Sequence, residues 1–248
     1  MRYRLWILFF FFMAYSSFSY LSAQTIDARF NQANNFYKEA QYKKAIELYE
    51  EILKQGKISG PLYYNLGNAY FKDGQLGRAV VSYQRARQWM PRDSDLKANE
   101  QYVEAFIKNN PQGVDRFFVA RLSFRYFDAW TLDELAKLNV ILYFLALIIF
   151  LAGFYLKKKE LTFFSLILGC LFVFHSYAFI ERKQSQENAA VIIQSIEAKF
   201  EPMESATTHF SLSEGVKVKI LEQEGFWSKI ERRDGKKGWV PKSSLEKI

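Results

Sequence analysis

The chain is poor in the residues that most often carry chemistry. Its 248 residues hold one cysteine and two histidines. A lone Cys170 excludes an intrachain disulfide and any metal site built on clustered cysteines, but leaves the compartment open. His175 lies in an apolar run and His209 in an expected loop, neither beside a nucleophile in a recognisable catalytic pattern. No glycine leads into the Gly-Lys-Ser/Thr ending of a phosphate-binding loop. Glu50 and Glu51 read as a solvated helix surface, and Asp93 and Asp95 as helix-start acids that suit the dipole. The expectation is a protein that is not an enzyme and needs no cofactor and no metal.

A surplus of basic charge is present, but not as a patch. The net charge is +8. Arg2 and Arg4 supply +2, and Lys157–Glu160 another +2, both beside long apolar runs. Residues 24–137 carry 17 basic against 14 acidic groups, and residues 181–248 carry 12 against 11. The polar regions are therefore nearly neutral, which argues against nucleic acid as a partner.

Apolar character is 50% of the chain and is concentrated. Residues 1–23 have the order of a signal peptide: arginines, an apolar run from Leu5, then small and polar residues up to Ala23. An uncleaved anchor is the alternative. Two further uncharged runs, 138–156 and 161–180, are each long enough to span a bilayer. The lysines of 157–160 separate them, so the pair reads as a transmembrane hairpin. Thr131 and Glu134 form a capping box ahead of the first run. Residues 114–130 mix arginines with aromatics and read as an interfacial segment or as one buried against the preceding helices. His175 reads as an interfacial residue whose polar demand is met.

Residues 26–107 follow a helical period, and 60–93 carry the tetratricopeptide pattern. Tyr63, Leu66, Gly67, Tyr70, Ala79, Tyr83, Ala86 and Pro91 fall at its spacings. Small Gly67 and Ala79 suit a close helix crossing, and Tyr70 and Tyr83 fill the space beside it. One period earlier, in 26–59, Ala33, Phe36, Ala45 and Tyr49 repeat the pattern. Residues 94–107 form one more helix, capped by Asp93 or Ser94, that closes the array. After residue 187 the period shortens to about five strands punctuated by glycines and Asp234–Gly235, which suggests a small β-barrel.

In tetratricopeptide arrays the first helix of each repeat lines a concave wall. The matching positions put Asn34, Tyr37 and Lys38, then Tyr64, Asn68, Phe71 and Lys72, in a groove for an extended peptide, with Phe30 at its edge. Asparagine offers a peptide backbone both donor and acceptor, and the lysines favour an acidic group. A carboxylate clamp is not expected: Asn34 and Asn65 match it, but Phe30, Asp95 and Asn99 stand where it uses basic residues. Packing of the aromatics against the closing helix is the other reading.

"EGVKVKILEQEGFWSKI" (214–230) and "DGKKGWVPKSSLEKI" (234–248) resemble bacterial SH3-like domains. The resemblance implies that Trp227 packs in a barrel and that Gly238–Pro241 precede a short turn. Ser244 replaces the tyrosine of polyproline-binding SH3 domains, so a polyproline groove is not implied.

The whole order is thus multi-domain: an all-α solenoid of two repeats plus a cap helix, a two-helix transmembrane hairpin, and an all-β SH3-like small barrel over 187–248. It resembles the tetratricopeptide–SH3 membrane proteins of the Bat (Bacteroides aerotolerance) operon family. That resemblance implies an accessory to envelope complexes, with von Willebrand-type Bat proteins as partners. The expectation is an inner-membrane scaffold with both polar domains on the periplasmic side, the 157–160 turn in the cytoplasm, and membrane lipid as a further partner. The alternative is a sensor or peptidoglycan-binding protein acting through the barrel.

Overall fold

The structure, a computed structural model, describes residues 26–108 and 127–248. The export segment 1–23 and residues 114–126 of the aromatic stretch lie outside the described residues.

Five helices form the N-terminal array. Helix α1 covers 26–38, followed by α2 (Tyr42–Lys54), α3 (Gly60–Lys72), α4 (Leu76–Trp89) and α5 (Ser94–Glu104). Small residues let them approach closely. A Cβ on Gly67 would lie 2.8 Å from the Tyr83 ring, so the α3–α4 crossing admits no side chain there. Ala33, Ala45, Ala69, Ala79 and Ala86 are fully buried as well. Ser59 caps α3 by accepting from Leu62 N at 3.3 Å, and Asp93 caps α5 by accepting from Leu96 N at 2.8 Å. The turn between α3 and α4 places Gly74 at φ +83, while the same turn of the first repeat forces Ala40 to φ 58.

Two long helices follow, α6 (Leu132–Tyr155) and α7 (Lys159–Glu187). The Thr131–Glu134 capping box starts α6. At 1.5 Å per residue α6 is about 36 Å long, more than the roughly 30 Å of a hydrocarbon core. The two pack antiparallel. A Cβ on Gly153 would meet Thr162 N at 2.8 Å, and Ser176 Oγ donates to Asn139 Oδ1 at 3.1 Å across the pair. Ile141, Ile148, Val173 and most of their apolar neighbours face outward. Lys157 takes a left-handed φ of 53 in the tight turn between the helices.

The C-terminal unit is a seven-stranded antiparallel sheet: β1 (Ala189–Ile192), β2 (Ile196–Lys199), β3 (Thr208–Leu212), β4 (Lys217–Glu224), β5 (Trp227–Arg232), β6 (Lys237–Pro241) and β7 (Leu245–Lys247). The strand order is β3-β2-β6-β5-β4-β1-β7. There are seven strands rather than about five because the 196–212 excursion itself pairs as a hairpin. Gly235, at φ +85, turns β5 into β6. Trp239 and Val240 are buried, whereas Trp227 is half-buried, so the expected packing role is shared between the two tryptophans. A 3-10 turn, Lys242–Ser244, leads into β7.

The array and the barrel are not separate bodies joined by the apolar hairpin. One cluster of buried apolar side chains runs through both. At Gly77, near the start of α4, a Cβ would lie 2.7 Å from Ile192 O and 2.8 Å from Ile193 Cα. Gly77 N donates to Glu214 Oε1 at 2.7 Å, and Ile107 packs on Gly215. Arg85 forks, its Nη1 to Glu246 Oε1 at 2.9 Å and its Nη2 to Lys247 O at 2.6 Å. Lys217 pairs with Glu104 beside them. Arg92 holds the other end, donating to Glu134 at 2.7 Å and to Ala129 O at 3.0 Å where α6 begins.

Candidate functional site

The joints between the helices of the array are organised by asparagines and tyrosines that repeat every 34 residues. Asn34 Oδ1 accepts from Tyr49 Oη at 2.6 Å and from Asn65 Nδ2 at 2.9 Å. One repeat later, Asn68 Oδ1 accepts from Tyr83 Oη at 2.6 Å and from Asn99 Nδ2 at 2.9 Å. Each carbonyl therefore ties its own repeat's second helix to the first helix of the next unit. Burial pushes the Tyr49 hydroxyl up to about 12 and raises that of Tyr83 as well, so both stay protonated donors at ordinary pH. Tyr70 is raised too, by burial first and then by its hydrogen bond to Glu50.

This changes what the two groove asparagines offer. Their acceptor oxygens are engaged inside the array, and among the described residues their Nδ2 groups have no protein acceptor. The wall therefore presents amide donors, suited to the carbonyls of an extended chain. Lys38 and Lys72 are exposed, while Tyr37, Tyr64 and Phe71 are half-buried. Tyr37 packs on Tyr42 at a ring separation of 5.6 Å, and Tyr64 receives Asn99 Nδ2 on its hydroxyl at 2.9 Å. Phe30 meets Tyr49 at 5.9 Å.

Phe71 joins two residues that repeat spacing did not single out. Its ring lies 5.6 Å from Tyr102 and 5.3 Å from Phe106, and those two are 5.1 Å apart, all edge-on. Tyr102 is 59% and Phe106 50% exposed. Phe71 thus does pack against the closing helix and the turn after it, and the three rings form an open apolar patch. The available signal was their spacing of four residues, with Tyr102 in the last turn of α5 and Phe106 just past its end.

The barrel has its own exposed aromatics. Phe226, at the β4–β5 turn, is 87% exposed. His209 lies on strand β3 rather than in a loop, because the 196–212 hairpin extends to it. Its ring lies 4.1 Å from that of Phe200. His175 departs from expectation: it is buried against Phe127, ring centroids 5.4 Å apart, and neither ring nitrogen has a hydrogen-bond partner among the described residues. Among the described residues no group of three or more His, Cys, Asp or Glu side chains is placed to hold a metal ion.

Comparison with known families agrees with this division. Residues 30–108 match a tetratricopeptide-repeat model, and residues 200–246 match a bacterial SH3 domain model. No curated protein matches the chain. Both matched folds are binding modules, so the chain carries two domains of the kind used for protein or cell-wall interaction.

Proposed function

We propose that the chain is a membrane-anchored scaffold of the bacterial envelope. In this reading the repeat groove takes an extended segment of another envelope protein. The observation that carries it is the Phe71–Tyr102–Phe106 patch, open to solvent, with Asn68 one turn before Phe71 on α3. An apolar side chain seats on the rings while the amides hold the backbone, and Lys38 and Lys72 favour an acidic neighbour. Resemblance to the Bat operon family supports von Willebrand-type envelope proteins as the partners. The groove is tested by cross-linking and co-purification of the intact protein from its own membrane. Tyr102→Ala/Phe106→Ala is expected to lose the partner, and an unchanged set of partners overturns the assignment. Asn68→Ala is a poor probe, since it also removes the tie to Tyr83 and Asn99.

The two apolar helices support anchoring in the cytoplasmic membrane, and the basic N-terminal segment supports export of the repeats. The 157–160 turn then faces the cytoplasm. Alkaline-phosphatase fusions at residues 110 and 248 are both expected to be active; two inactive fusions reverse the topology.

A second reading places cell-wall binding on the barrel. The exposed Phe226 and the Phe200–His209 stack favour it, because flat aromatic faces suit sugar rings. Sedimentation of the intact protein with purified peptidoglycan, wild type against Phe226→Ala, distinguishes the readings.

A further inference from the structure

Where α7 leaves its apolar run it passes beside α4, and a polar cleft of about 210 Å³ opens between them. Arg87 of α4 and Arg182 of α7 both line it, with Gln88, Ser185 and Gln186 as neutral neighbours and Asp128 as the one acidic side chain. Among the described residues neither guanidinium donates a hydrogen bond to a protein acceptor. There Arg87 has long ion contacts, 3.7 Å to Glu100 and 3.8 Å to Asp128. Arg182 Nη1 is shut off from solvent and has no hydrogen-bond partner among the described residues. A buried guanidinium nitrogen left unpaired is costly, and the group that matches its fork is a phosphate or carboxylate.

The cleft continues into a second of about 260 Å³ along α7, lined by Phe127, Phe174, Tyr177, Ala178 and the exposed Glu181. The two share Asp128, Arg182 and Ser185. A polar chamber with two guanidinium groups and one carboxylate therefore opens onto a mainly apolar crevice, lined also by Glu181, that runs down the helix. That gradient fits an amphiphile: an anionic head at the arginines and a hydrocarbon chain against the rings. It lies where α7 meets the polar domains, the level of lipid headgroups if α7 spans the membrane.

We propose that this joint is a site for an anionic phospholipid. Its phosphate bridges Arg87 of the repeats and Arg182 of the second apolar helix, and its acyl chain fills the Phe174–Ala178 crevice. The inference rests on the membrane-anchored reading. The lipid would then be a structural part of the junction between the repeats and the anchor.

The test uses full-length protein purified in a neutral maltoside detergent. Dioleoylphosphatidylglycerol, dioleoylphosphatidylcholine or inorganic phosphate is added, with bound lipid read by native mass spectrometry and stability by thermal melting. Wild type is expected to retain the anionic lipid roughly tenfold better than the zwitterionic one, and Arg182→Gln to lose that preference. Ala178→Trp fills the crevice but keeps both arginines, and is expected to weaken retention of the anionic lipid. Equal retention by wild type and Arg182→Gln overturns the site, as does a stabilisation that inorganic phosphate reproduces alone. Should Arg182→Gln not fold, Arg87→Gln on the repeat side makes the same comparison. Alkaline extraction of the source membranes separates the two failures. A chain released by carbonate refutes the anchor itself, while one that stays in the pellet without headgroup preference refutes only the lipid site.

Discussion

A single asparagine oxygen decides how two repeats are joined. Asn68 Oδ1 satisfies a buried tyrosine hydroxyl and an amide from the next helix. Asn68→Ala would orphan Tyr83 Oη, so it is expected to cost about 1–3 kcal/mol. Adding Tyr83→Phe should recover part of that loss, because the stranded donor is gone; a double-mutant cycle in chemical denaturation measures the coupling. Ala40 is a different residue-scale case. Its left-handed φ of 58 costs about 1–2 kcal/mol, which glycine relieves. Glycine also frees the unfolded chain, by about 0.5–1 kcal/mol. Ala40→Gly should therefore stabilise the first repeat by about 0.5 kcal/mol, read as slower hydrogen exchange in α1 and α2.

At the scale of an element, the β5–β6 hairpin carries a local acid dependence. The Arg232 guanidinium, 2.9 Å away at Nε, holds the Asp234 carboxyl down to about 2. The ordinary carboxylate value in an unfolded chain is about 3.9. The folded value is the lower one, so the pair stabilises the hairpin fully above about pH 4, and that stability is lost as pH falls toward 2. The pair is partly solvated, so its contribution is about 1 kcal/mol. Asp234→Asn should melt earlier than wild type at neutral pH, and the difference should vanish in acid. Glu100 behaves in the opposite sense. Burial raises its carboxyl, against the pull of Arg87 and Lys217, so its ionisation as pH rises weakens the array.

At the scale of the whole molecule, the α4–β1 contact makes the repeats and the barrel one body. Gly77→Ala would push a methyl group into the backbone at Ile192 and Ile193, which cannot turn aside as a side chain would. The substitution is expected to cost about 1–3 kcal/mol and to speed hydrogen exchange at Val191 and Ile192, leaving α2 and α3 protected. Unchanged exchange in β1 would show that the barrel keeps its seat without this contact. The composite body also fixes the distance between the Phe71–Tyr102–Phe106 patch and the exposed rings of the barrel. A partner touching both would meet a preset geometry and lose less freedom on binding.

The modules were legible in the sequence because each rests on a local period. Gly67, Ala79 and Tyr83 mark a helix crossing by spacing alone, the uncharged runs report their own length, and the glycines after residue 187 announce short strands. Which residues share a face of each helix was legible, since helical period decides it. What each side chain does there was not. Asn34 and Asn68 lie one repeat apart, and their oxygens accept from tyrosines 15 residues on and asparagines 31 residues on. The docking of the barrel onto α4 joins residues 137 to 162 positions apart. No local period reaches that far. What Gly77 packs against is decided only when the Ile192 backbone stands beside it, and Arg87 and Arg182 meet only because the chain returns from its apolar hairpin beside the helix it left.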